Sequence, residues 1–471
     1  MAPLLKLFSA QQRRSLATFG RKPLWRFPTR RKLALPQHEL IDEEKIPRYN
    51  SDVFYPAKQG QVLGDKYQLV LKVGFGRNST VWFARDLNRF ERQPESVVAM
   101  KIINSNLFAK AHEEKKLENY LLLKNPRHYG YLNVRHCLDA VDVTGPGGRH
   151  KCLVYEPMRD PMWLCQEHFV GSILPYGLAK IYIRELLAGL DYLHSECNVV
   201  HGNLTLDNIL MSFENDEILP YVMERQTRIS YKVDADGRTV YLSHGNYGAI
   251  VPKDLHNMVP KIANFGQGLR MLKQVDGVPL GIYPIQPMQY RAPEVILGCD
   301  WDVKADIWNF GAMLWNVLGR EALFQKAEDK HGQYDAKAHL GEMIALLGPP
   351  PAELISKSKL MAKNFWPKPV CDDNGKVFHS AEEFFGGPFF DEEGKFIDSI
   401  CGIHVSNTNC AQGKFLYGGL IPDRTLEDSV PFIPKSERED FLSFVREMLV
   451  WLPEERSSAS ELMEHPFLDD V

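Results

Sequence analysis

A chain of 471 residues exceeds one small core and predicts two to four compact units. Hydrophobic residues at 44% and eight Trp exclude gross disorder, and no apolar run reaches the ~18 residues of a membrane-crossing helix. The net charge of −4 conceals an asymmetry: residues 1–36 hold nine of the 56 basic residues and none of the 60 acidic ones. The rest of the chain is left at 47 against 60, a net −13, which argues against a nucleic-acid partner.

The chain opens on a basic leader, residues 1–48, whose Arg-spaced, Ser-containing start has the composition of a mitochondrial presequence. A solvated basic arm is the alternative and would leave the protein cytoplasmic or nuclear. Strand-like runs follow at "YQLVLKV", "STVWFARD", "SVVAMKII" and "CLVYEP", with one charged helix-period stretch, "AKAHEEKKLENYLLLK", among them. Beyond Pro157 helices dominate: "LAKIYIRELLAGLDYLH", "KADIWNFGAMLWNVLG", "AKAHLGEMIALLG" and "REDFLSFVREMLVW". The prediction is an α+β plan in two lobes, a β-rich one over 49–158 and a mainly helical one over 159–471. An insert at 213–259 interrupts the second lobe, and within it "RISYKVDADGRTVYLS" reads as a hairpin around Asp236-Gly237. The eight Cys are scattered without a C-x-x-C pair, which fits buried thiols better than a disulfide framework or a zinc site.

Three stretches carry chemistry. In "VGFGRNSTVWFA", Gly74 and Gly76 let the backbone turn and leave N–H groups free to face an anion such as phosphate. In "VVAMKI", Lys101 lies inside an apolar strand, where an ammonium is costly unless an anion pairs with it. Glu118 is the chosen helix partner, because Leu121 and Leu122 follow at inward spacing; Glu114 is its rival. The third stretch, "HGNLTLDNIL", is a polar loop between apolar runs and carries Asn203, Thr205 and Asn208.

The order of Gly-loop, "VAMK", helix Glu and "H-x-N-L-x-x-x-N" resembles that of the protein kinases. "KIANFGQG" stands in the place of D-F-G, "QYRAPEVILG" in that of A-P-E, and "DIWNFGAMLW" and "ERSSASELMEHPFL" complete the series. The likeness spans roughly residues 60–469. It is closest to the SR-protein kinases, in their fungal branch, through "YPAKQGQVLGDKYQLVLKVGFGRNSTVW", "GPGGRHKCLVYEPM" and "PIQPMQYRAPEVILG". The resemblance implies a bilobal kinase fold, protein partners or substrates, and ATP held by Val73, Gly74, Gly76, Val81, Ala99, Lys101, Glu118, Glu156 and Met158. Tyr155 would be the gatekeeper, and Glu156 to Met158 the hinge facing adenine. Glu294 would pair with Arg456, and Asp306 would brace the catalytic loop through backbone N–H groups.

Against that pattern the chain departs where phosphate is transferred. Asn203 replaces the catalytic Asp, and an amide can hold a hydroxyl but cannot take its proton. Thr205 replaces the Lys that steadies the transferring phosphate. Asn264 replaces the metal-binding Asp of D-F-G, leaving Asn208 as the family's other metal ligand and Mg²⁺ weakly held or dispensable. Pro287 stands where the family carries a Thr bonded to the Asp and Lys. His201 is followed by Gly202 rather than Arg, and no Ser or Thr lies between Asn264 and Glu294 to be phosphorylated. The expectation is a pseudokinase that binds ATP and acts as a binding or scaffold module. The alternative is an active Ser/Thr kinase transferring the γ-phosphate to Ser-Arg-type proteins.

Overall fold

The runs read as strands pair into one sheet. The computed structural model describes residues 22–27, 33–88, 94–225, 229–235, 237–271, 281–328, 332–362, 365–372, 375–391 and 413–469. A short strand, β1 (Leu33–Ala34), is followed by β2 (Val62–Leu63), β3 (Tyr67–Gly76), β4 (Ser79–Asp86), β5 (Val97–Ile103), β6 (Cys137–Gly145) and β7 (Gly148–Tyr155). Strands β2 to β7 form an antiparallel sheet in the order β2-β3-β4-β5-β7-β6. Leu69, Val70, Leu71, Trp82, Phe83, Met100, Ile102 and Leu153 are almost wholly buried in it. The charged stretch is the helix Phe108–Leu123, whose inward residues Ala111, Glu114, Glu118 and Leu121 recur at three- and four-residue spacing.

The chain divides into two units, and the division differs from the expected boundaries. Residues 213–259, read as an insert of the second lobe, fall in a segment, 211–259, that belongs with the sheet, whereas 124–134 belong with the helices. The reason is apolar: Val222, Met223, Ile229, Tyr241 and Tyr247 of the insert join the same buried cluster as Trp82 and Phe83. The hairpin is present as Ser230–Val233 against Thr239–Tyr241, with Tyr231 opposite Tyr241; the turn residue Asp236 lies outside the described residues. The second unit holds the four expected helices, Tyr176–Asp191, Lys304–Leu318, Ala336–Leu347 and Arg438–Arg446. Trp308, Phe310, Trp315 and Phe441 fill its core.

The leader is the larger departure. Arg13, Arg14 and the rest of residues 1–21, with 28–32, lie outside the described residues, but 22–27 and 33–48 are built into the first unit. Lys22 is buried, and its ammonium stands 3.0 Å from Glu95. Trp25 exchanges two 2.9 Å bonds with the buried Gln68 side chain and lies 4.2 Å from the Arg85 guanidinium. Further along, β1 runs parallel to Ser230–Tyr231 of the insert hairpin. Asp42 and Glu43 then close on Lys72 of β3, whose side chain is 1% exposed and also donates to the Tyr241 carbonyl at 2.8 Å. Lys232 of the hairpin bonds Glu44 at 2.9 Å and the Gln37 and Glu39 carbonyls. Removing residues 1–36 as a presequence would therefore take part of the fold with it.

A consequence is measurable by chemical denaturation. The comparison is between a chain lacking residues 1–21 and one lacking 1–48, the former serving as the reference. Deleting 1–48 should cost at least ~3–5 kcal/mol, because Lys72 and Lys232 are left buried without their carboxylates. Equal stability of the two truncated chains would overturn this account of the leader.

Candidate active site

In the first unit the Gly-loop is the tip of the β3–β4 hairpin, with Gly76 paired to Ser79 and Gly74 to Val81. A methyl group added at Gly76 would meet nothing within 4 Å, and one at Gly74 would make only ordinary contact with Val81. Neither glycine has the positive φ that would require one. Packing does not demand glycine at either position, so what glycine provides there is an uncovered backbone. Val81 pairs with Lys101, and Ala99 pairs with Tyr155 across neighbouring strands. The sheet thus sets Val73, Val81, Ala99 and Lys101 on adjoining strands β3, β4 and β5.

The partner of Lys101 is Glu114, not Glu118. Its ammonium stands 2.8 Å from the Glu114 carboxylate. Glu118 lies one turn further on the same helix face, fully buried, and accepts the Tyr155 hydroxyl at 2.8 Å and the Cys137 N–H at 3.2 Å. Spacing placed both acids on the inward stripe, and the stripe alone could not rank them. Burial pushes the Glu118 carboxyl up to about 7, against the bond from Tyr155 and with the Glu114 charge adding to the rise. The expected hinge begins where Tyr155 ends β7; the Glu156 carbonyl accepts from Arg135 at 2.7 Å, and Met158 is buried.

In the second unit the loop from His201 to Asn208 is held from beneath. The wholly buried Asp306 carboxylate accepts the N–H of His201 at 2.7 Å and of Gly202 at 2.9 Å, as expected of it. Gly202 has φ 71°, a left-handed turn that glycine adopts without penalty. Asn309 donates to the Leu204 carbonyl at 2.9 Å. Burial lowers the pKa of His201, so its ring is neutral: Nε2–H donates to Ala263 at 3.0 Å and Nδ1 accepts the Asn203 N–H at 3.2 Å. Arg456 grips Glu294 through two bonds of 2.8 and 2.6 Å, both residues being nearly inaccessible.

The residues expected to do or replace the chemistry form a chain of amides. Asn208 donates to the Asn203 carbonyl at 2.8 Å, and Asn264, in the left-handed region at φ 71°, donates to Asn208 Oδ1 at 2.9 Å. The oxygen Asn208 would offer to a metal thus already accepts an N–H. No carboxylate joins this set, and among the described residues no group of three or more His, Cys, Asp or Glu could hold a metal. A hard divalent cation favours charged oxygen, so these donors fit Mg²⁺ poorly. Thr205 stands before the turn Leu206–Asn208 without capping it.

Gln286 was not anticipated. Its N–H donates to the Gly202 carbonyl at 2.8 Å, its amide spans Ala305 and Ala292, and Pro287 follows it directly. Gln286 therefore fastens the Pro287 segment to the loop by backbone bonding. No spacing signal in the sequence marks it; the residue before a proline is merely biased towards extended backbone, and Gln286 instead has φ 72°.

Residues 67–331 match the protein tyrosine and serine/threonine kinase family, and 250–468 match the protein kinase domain family. A serine/threonine protein kinase of Aspergillus fumigatus is 32% identical over 435 residues, 91% of each chain. The serine/threonine-protein kinase SRPK of Physarum polycephalum is 27% identical, covering 91% of this chain and 92% of its own. A crystal structure of a kinase domain shares the fold at a TM-score of 0.56 and 20% identity, covering 89% of this chain and all of that one.

The raised Glu118 carboxyl fixes a pH dependence. Its stabilising contribution is complete below about 4.5, the ordinary value, and is lost as pH rises through about 7. Stability should therefore fall between about pH 5 and pH 8, by on the order of 3 kcal/mol from this group. Glu118→Gln should flatten that slope whatever its effect on the baseline. An unchanged slope in the variant would exclude Glu118 as its source.

Proposed function

Because the chain belongs to the protein kinase family, in its SR-protein-kinase-like branch, we propose that it binds ATP and serves as a binding or scaffold module rather than a phosphotransferase. The observation that carries this reading is the neutral set Asn203, Asn208 and Asn264, in which Asn264 donates to Asn208 and Asn208 to the Asn203 backbone carbonyl. The loop keeps its shape through Asp306 but carries an amide rather than a carboxylate at 203, and a positioned general base is typically worth about 10²–10⁴ in rate. Thr205 carries no charge to steady a transferring phosphate, and Pro287 has neither hydroxyl nor N–H. The first-unit residues fit a nucleotide better: uncovered glycines at 74 and 76, and Lys101 held by Glu114. When bound, Mg²⁺ would supply charge neutralisation of the phosphates; Asn208 and Asn264 are the residues that would touch it.

The second reading, an active kinase on Ser-Arg-type proteins, draws on the relatives, which are named as serine/threonine kinases. Loose phosphoryl transfer depends largely on positioning, which this loop retains.

Two measurements separate the readings. ATP at 100 times its Kd should stabilise the full chain by about 2.7 kcal/mol, seen as a rise in Tm. Lys101→Met should weaken that rise, and Mg²⁺ should add little to it. In parallel, radiolabelled ATP should give no transfer to a Ser-Arg peptide from the wild-type chain or from Asn203→Asp or Asn264→Asp alone. Groups that act as a unit are strongly non-additive, so restoring one member restores almost nothing. Robust transfer by the wild type, abolished by Lys101→Met, selects the active kinase; no ATP response at all removes the nucleotide site.

A further inference from the structure

A cavity of about 350 Å³ lies wholly within the first unit, built by three stretches far apart in the chain together with Pro157. Trp25 comes from the N-terminal segment, Arg85, Glu95 and Val97 from β4, β5 and their connection, and Ser212, Phe213, Leu219 and Met223 from the insert. The volume falls in the lower range of small binding pockets, ~300–1,000 Å³, enough for a few side chains. The helix Ile218–Arg225 turns Leu219, Met223 and Glu224 towards it, a spacing that places them on one face.

The charge of the lining selects the occupant. Glu95, Asp216 and Glu224 supply three carboxylates against one guanidinium, that of Arg85. Arg85 is not available to an anion. Its Nε and Nη2 bond Glu95 at 3.0 Å, and Nη1 bonds Gln68 and the Pro23 carbonyl at 3.0 Å. Its face is covered by Trp25 at 4.2 Å. Glu95 is held ionised: burial opposes this, but the bonds from Arg85 and Lys22 outweigh it and keep the carboxyl below its usual range. Nucleotides, phosphopeptides and acidic segments are thus disfavoured, while Trp25, Val97, Pro157, Phe213 and Met223 offer an apolar wall.

The segment that contributes Trp25 to this wall already sets a cation on its acidic edge: the Lys22 ammonium stands 3.0 Å from Glu95, while the Trp25 backbone is bonded to Gln68. The cavity continues this surface towards the exposed Asp216 and Glu224, neither of which forms an ion pair among the described residues.

We propose that this cavity is a docking site for a basic, apolar peptide segment of a partner protein. One apolar side chain enters among Phe213, Leu219 and Met223, and a flanking Lys or Arg meets Asp216 and Glu224. The adaptable Met223 and the aromatic rings suit side chains of varied shape and a cation over a ring face. The cavity touches the expected hinge only through Pro157, and the carboxylates that meet the cation, Asp216 and Glu224, are not among the nucleotide residues, so its test needs no ATP and failure of either reading leaves the other standing.

The probe is a fluorescently labelled peptide of alternating Arg and Leu, titrated with the full chain and followed by anisotropy. Saturable binding is expected, weakened about tenfold or more by combining Asp216→Lys with Glu224→Lys. Both positions are exposed, so Tm should be unchanged, which distinguishes lost docking from lost folding. A peptide with Gln in place of Arg should bind at least about tenfold more weakly. Equal binding by the charge-reversed chain, or of the Gln peptide, overturns the proposal. So does a chain lacking residues 1–21 that binds about tenfold more tightly, since the occupant is then this protein's own N-terminus.

Discussion

A carboxylate cut off from water must be satisfied entirely by the protein around it, and Asp306 meets that condition with the N–H groups of His201 and Gly202. Breaking either bond would leave a buried charge under-solvated, which is why the loop holds one shape. The neutral His201 ring and the Asn309 amide add bonds to the same stretch of backbone. None of these contacts involves the side chain of Asn203 or Thr205. The loop's geometry and its chemistry are therefore set by different residues, and the chemistry can change while the geometry persists.

That separation lets uncharged residues stand in a site of this shape without disturbing it. An amide carries no formal charge but brings N–H donors, which need acceptors. Asn264 donates to Asn208 Oδ1, and Asn208 donates to the Asn203 backbone carbonyl. A carboxylate at 264 could not donate to Asn208, and its charge would call for a cation.

How much of this was legible beforehand depended on whether periodicity or three-dimensional packing decides the outcome. The strands around Lys101 and the four long helices announce themselves by burial pattern, and the structure has them. The pairing of Lys101 was not legible at the level of one turn, because Glu114 and Glu118 share a face and only Tyr155 and Cys137 distinguish them. The N-terminal segment misled through composition. Nine basic residues read as a leader, yet Lys22 is neutralised by Glu95, 73 positions later. Likewise the insert could be seen as a hairpin, but not that its tyrosines complete the core of the sheet.

The stitching of the first unit sets an order of events during synthesis. Lys72 is placed in its strand 169 residues before the Tyr241 carbonyl that accepts its hydrogen bond, and β1 waits longer still, from Leu33 to its partner Ser230. At the ~5–20 residues per second of translation, that interval is on the order of ten to thirty seconds. During it, the sheet must persist with Lys72 held by Asp42 and Glu43 alone and with Trp82 lacking Tyr241, its edge-on neighbour at 5.3 Å. The nascent chain thus exposes an incomplete core until the ribosome has passed the insert, and the second unit's first long helix, Tyr176–Asp191, is made before the first unit can close.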